Sequence, residues 1–153
     1  MNTIAGHLDE KTIADLRTRR AELRESMSAL ELALAAPLAD PGRWLERVHA
    51  ALVELDGDLR AHVEITEGPE GLHSDVTDIA PRLAEPAKQL ADEHGVVRRL
   101  IDDLLALPVG LDHAQLEQAR AQASDLLAML VRHRQRGADL VYEAYQVDVG
   151  GET

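Results

Sequence analysis

The chain has no cysteine and no phenylalanine, and only one tryptophan and two tyrosines in 153 residues. Without cysteine there are no disulfides, thiolate metal ligands or iron–sulfur clusters. Any bound metal must then be held by imidazole and carboxylate, ligands that suit iron, zinc, copper or manganese. Without aromatics the core has to be aliphatic, and the aromatic and β-branched runs that favour strands are missing. Positive charge is also scarce, with 16 basic residues against 28 acidic ones and a net charge of −12. A surface of that sign repels phosphate backbones and argues against a nucleic-acid partner. No apolar run approaches the roughly twenty residues of a membrane-spanning helix. The opening MNTIAGHLDEK has neither a basic n-region nor an apolar h-region, so no signal peptide is read and the expected compartment is cytoplasmic.

What is present favours helix. Leu, Ala, Glu and Arg recur throughout, and these are strong helix formers. The length fits a single domain spanning 1–153. Four amphipathic helices are predicted, at about 10–36, 43–67, 81–107 and 113–145, because apolar residues recur at spacings of three and four. The first seam is Ile13, Leu16, Arg20, Leu23, Met27, Leu30, Leu34, with Asp9 as N-cap. The second follows Asp40-Pro41, an N-cap and first-position pair. Its seam is Leu45, Val48, Leu52, Leu55, Leu59, His62, Thr66, closed by Gly68-Pro69. A looser stretch at 68–80 allows a short helix near Ser74–Ile79. The third seam is Leu83, Ala87, Leu90, His94, Val97, Ile101, Leu104, with Pro86 expected to kink its first turns. The fourth opens on a capping-box-like Asp112/Gln115 pair and runs Leu116, Ala119, Ala123, Leu126, Leu130, His133, Gly137, Leu140, Ala144, ending before Gly150-Gly151. Four such helices with short to medium connections predict an all-α, antiparallel up-down-up-down four-helix bundle.

One ionisable residue interrupts each seam: Arg20, His62, His94 and His133. In that topology Arg20, His94 and His133 lie about 16–20 Å from the same end of the bundle, at 1.5 Å per residue. His62 reaches that level if the 68–80 connection caps the end. A lone histidine on an apolar seam is usually a hydrogen-bonded core residue. Three at one level each need a buried partner, and a shared metal satisfies all of them. Glu67, about 500° around the helix from His62, approaches from a flank as a candidate carboxylate ligand. Glu93 could accept a hydrogen bond from a ligand imidazole, but an ordinary surface position is the expectation. Arg20 cannot ligate a cation. It could pair with Glu67 or send its head to solvent, and if it enters the core the cluster becomes a polar network without metal. The remaining histidines, His7, His49, His73 and His113, are expected at flanks, termini or loops. Arg132, Arg134 and Arg136 are expected on a solvated face, and Trp44, Tyr142 and Tyr145 at the ends of the bundle.

These segments resemble the hemerythrin-like (HHE cation-binding) family. The matching parts are His62 with Glu67, Glu93-His94 in LADEHGVVRRLIDDLLAL, His133 in LLAMLVRHRQRGADLVYEAY, and the APRL segment at Ala80–Leu83. The resemblance covers roughly 10–145 and rests on order and spacing. It implies a four-helix bundle around non-haem iron, handling O2, NO, peroxide or iron, with His62, Glu67, His94 and His133 at ligand positions. Three departures imply a reduced site. Arg20 stands where the first helix should carry a histidine, Arg98 where a second histidine often follows one turn after His94, and Gly137-Ala138 where the last helix should carry a carboxylate. The implied cofactor is iron in a mononuclear or incomplete di-iron site, with zinc, another divalent metal or no metal as alternatives. The expected function is O2, NO, redox or iron sensing or buffering by a monomer or homodimer, not catalysis. The alternatives are a metal-free bundle acting as an interaction module, and an oxidase or peroxidase on the same site. Haem held by two histidines would lack an aromatic pocket.

Overall fold

A computed structural model describes residues 10–67 and 71–148, and every regular element in that range is helical. Helix α1 spans Glu10–Ala35 and α2 spans Pro41–Glu67. A short α3, Leu72–Ile79, leads through a 3-10 turn at Pro81–Leu83 into α4, Ala84–Leu105. The longest helix, α5, covers His113–Tyr142 and continues as wider π-type turns over Glu143–Asp148. Asp9 and Gly150-Gly151, the expected outer boundaries, lie outside the described residues. No helix is long and apolar enough to cross a membrane among the described residues.

Two helix starts follow the chemistry read from the sequence. The Asp40 carboxylate accepts from the Arg43 amide at 3.2 Å, and Pro41 occupies the first position, where its missing N–H costs nothing. At Asp112 the capping box closes completely: its side chain accepts from the Gln115 amide at 2.8 Å, while the Gln115 side chain accepts from the Asp112 amide at 2.9 Å. The preceding loop turns at Gly110, whose φ of +85° is the left-handed conformation that glycine adopts without a Cβ penalty. Pro86 does not kink a helix interior. The Pro81–Leu83 turn delays α4 until Ala84, so Pro86 falls within the first turn, where no intrahelical donor is lost.

The long helices form a helical bundle in which α1 packs on α2, α4 on α5, and α2 on α4. Leu23, Leu30, Leu52, Leu55, Leu59, Val97, Ile101, Leu116, Leu126 and Leu130 form the main core. This is the aliphatic interior required by the scarcity of aromatics. A second cluster, built from Leu72, Val76, Leu83, Ala87, Leu90, Leu140 and Ala144, gathers where α3 closes one end between α2 and α4. The first seam is not uniformly covered: Ile13 is exposed, Leu16 is half-buried against the second cluster, and full burial begins at Leu23. Buried Ser26 on α1 donates to Asp58 on α2, a polar tie between two helices at a position no seam reading marks. Trp44 is buried as an end plug with Arg120 over its ring at 5.7 Å, but Tyr142 is 60% exposed and plugs nothing.

Candidate metal centre

The histidines sit where one apolar cluster gives way to the other. His62 follows the core residue Leu59 by three positions. His94 lies four after Leu90 and three before Val97, and His133 three after Leu130. Helical spacing therefore keeps each imidazole on the face that its apolar neighbours bury. All three are buried, at 9%, 3% and 3% exposure.

The structure brings them together. One nitrogen from each ring can be chosen so that all three lie within 4.8 Å of one another. The rings of His94 and His133 are 4.5 Å apart and tilted by 55°. His62 stands edge-on to both, at 5.3 and 5.8 Å.

Two carboxylates lie behind the rings. His133 Nδ1 donates to Glu93 Oε1 at 2.7 Å, and His94 Nδ1 donates to Glu67 Oε2. A carboxylate accepts, so each Nδ1 carries the proton and each Nε2 is left with a lone pair. Those two Nε2 atoms face each other at 2.8 Å. Two lone pairs at that distance repel unless a proton or a metal ion lies between them. Holding the Nδ1 proton on a carboxylate is the arrangement that orients histidines as metal ligands. Glu67, expected as a direct ligand, thus stands behind His94. Glu93, expected as an ordinary surface residue, instead takes the supporting position behind His133, and Arg136 also donates to it. The pairing of Arg20 with Glu67 does not form.

Electrostatics keep the imidazoles neutral. Burial, then the neighbouring histidines, then Arg20 push the His62 pKa down to about 3. Burial lowers His94 to about 4 and lowers His133 as well, against the opposing pull of Glu93. Burial raises Glu67. For Glu93 burial acts in the same direction, but hydrogen bonds from Arg136 and His133 outweigh it and hold the group below the usual carboxylate range. Neutral imidazole is the form that binds metal.

His73 is the residue that the sequence reading missed. Helix α3 begins at Leu72, earlier than expected, and this places the His73 ring parallel to His94 at 6.4 Å. It is half-buried, and burial lowers its pKa to about 4. The signal was present in Leu72, Val76 and Ile79, an i, i+4, i+7 apolar set within a stretch rich in loop formers. His49 and His113 are exposed, and His7 lies outside the described residues. Arg132 is exposed as expected, whereas Arg134 is half-buried beside the cluster and not on a solvated face.

The donor set fits a metal ion. It comprises three neutral imidazoles from three helices, two of them tautomer-fixed by carboxylates. The Nδ1 of His62 is buried without any hydrogen-bond partner, a polar atom that the apolar surroundings leave unsatisfied. No family model matches this chain, and neither a curated protein nor a solved structure matches it.

Proposed function

We propose that the chain is a hemerythrin-like metal-binding protein. In this reading it is an antiparallel up-down-up-down bundle that holds one divalent ion, iron first, through His62, His94 and His133. It serves O2, NO, redox or iron sensing or buffering. The supporting observation is the facing pair of Nε2 atoms at 2.8 Å, each backed by a carboxylate on its own Nδ1. Histidine and carboxylate without thiolate suit iron, zinc or manganese. Bound there, such an ion would supply a Lewis-acidic centre with positions open to a small ligand.

The chain's own residues prepare that centre. Glu67 and Glu93 fix tautomer and ring orientation, and Arg136 keeps Glu93 ionised so that it accepts. Leu90, Val97, Leu130 and Leu140 exclude water around the rings, which favours neutral imidazole over imidazolium. Elemental analysis of iron-loaded, desalted protein is expected to give one ion per chain. Glu93→Gln is expected to keep the stoichiometry and weaken binding by about 10–100-fold, the usual effect of losing a ligand's hydrogen-bond partner. No metal retained after loading with iron or zinc contradicts the reading.

A second reading has one observation of its own, since 2.8 Å also suits an N–H···N hydrogen bond. One proton shared between His94 and His133, anchored by two carboxylates, gives a metal-free bundle acting as an interaction module. That reading requires one more proton in the network, on an imidazole whose pKa burial lowers or on Glu67, whose pKa burial raises, and the metal reading does not.

A further inference from the structure

A cavity of about 40 Å³ opens beside the histidine cluster, lined by residues that include Arg20, His62, His73, Arg134 and Gly137. A single water needs roughly 10–15 Å³ measured in this way, so there is room for two or three heavy atoms. The walls are mostly apolar, yet beside His62 two further buried polar atoms without a partner belong to lining residues: Arg134 Nε and His73 Nδ1. Native interiors leave few such atoms, and two around one cavity call for a polar occupant.

Charge gives that occupant its sign. Among the described residues neither Arg20 nor Arg134 forms an ion pair, although 28 acidic side chains are available in the chain. Burial, then the charges of Arg20 and Arg24, lower the pKa of Arg134. Glu93 on α4 is already engaged by Arg136 and His133. Two uncompensated guanidiniums at an apolar cavity in a protein of net charge −12 amount to a local reversal of field. Space is left open as well, since a Cβ added at Gly137 would meet nothing within 4 Å.

We propose that this cavity binds a small monovalent anion of two or three heavy atoms, held by Arg20 and Arg134 with the imidazole of His73 as a further donor. The inference goes beyond the metal reading, because the anion site is built from side chains and stands without an ion. Arg20, which departs from the pattern of the resembled family, gains a role as a binding group instead of a lost ligand.

Azide is the probe, added to chelator-treated protein at fixed ionic strength and followed by calorimetry and by the thermal midpoint. Wild-type protein is expected to bind one azide saturably, while sulfate, too large for the cavity, produces a much smaller shift. Arg20→Leu and Arg134→Leu should each weaken azide about tenfold, the loss of one charge-assisted hydrogen bond. Gly137→Leu, which keeps both guanidiniums but adds bulk at the cavity wall, should also abolish binding. Equal responses to azide and sulfate, or affinities unchanged in both arginine variants, overturn the proposal. Azide binding that appears only after metal loading and ignores both arginines overturns it too, and leaves the metal reading standing. Azide binding in a protein that retains no metal does the reverse.

Discussion

One equivalent of Fe(II), or of Zn(II) as a redox-silent substitute, is expected to raise the thermal midpoint of the chelated protein by about 10 °C, and His94→Leu should abolish the rise. A ligand present at a thousandfold excess over its Kd stabilises the folded state by about 4 kcal/mol. A domain of this length shifts by about 2–4 °C per kcal/mol. His94 is central because its Nε2 faces His133 and its Nδ1 engages Glu67. Without metal, the same substitution should leave the midpoint unchanged or raise it. A leucine between Leu90 and Val97 continues an apolar seam, and the Glu67 carboxylate freed by the change can reach solvent. The change also removes the unfavourable approach of two imidazole lone pairs, His94 Nε2 to His133 Nε2, that the metal-free protein carries. A wild-type midpoint indifferent to metal, or an equal metal-induced rise in the variant, contradicts this expectation. Differential scanning fluorimetry with and without chelator makes the comparison.

Acidification of the metal-free protein should unfold it between about pH 6.5 and pH 4. Folding lowers the pKa of His62 from 6.5 to about 3 and those of His94 and His73 to about 4. In that window the unfolded chain takes up protons that the folded chain refuses, so stability falls as pH falls. The contribution is fully present above pH 6.5 and is lost on the way down to the folded values. Each proton of difference costs about 1.4 kcal/mol per pH unit, so a few histidines over two units rival the 5–15 kcal/mol that holds a typical domain together. Glu93, with its pKa lowered, adds to the loss at still lower pH. Glu67, with its pKa raised, acts with the opposite sign and favours the fold in acid. Circular dichroism across pH 7.5 to 3.5 checks the expectation. His62→Leu should flatten the profile, and an identical slope in that variant would count against burial as the cause. Metal competes with protons for the same lone pairs, so loading should shift the transition to lower pH.

Much of the architecture is legible in the sequence because it rests on local rules. Asp40-Pro41 and the Asp112/Gln115 box are short-range chemistry, and both close in the structure as read. The seams of α2, α4 and α5 follow spacing alone, which is why three histidines could be placed on inward faces before any coordinates. The site's outer ring was harder to read. Glu67 supports His94 instead of joining the converging nitrogens, and its position depends on how a helix end meets a neighbouring helix. Arg134 is adjacent in sequence to an inward residue and looked solvated, yet the gap left by Gly137 and Ala138 gives it a cavity to line. His73 was obscured by the composition of its segment, whose helix forms because Leu72 and Val76 dock onto Leu83 and Leu90. Pro86 was read as an interior kink because the preceding 3-10 turn, which moves it into the first turn of α4, has no sequence signature of its own.

The central claim is that imidazoles from α2, α4 and α5 share one ion. X-ray absorption at the iron or zinc edge of singly loaded protein tests it most directly. The account expects three nitrogen scatterers at about 2.0–2.1 Å with the outer-shell pattern of imidazole, reduced by one in His133→Ala. A first shell of oxygen alone, or a spectrum unchanged by removing His62, His94 and His133 together, would contradict it.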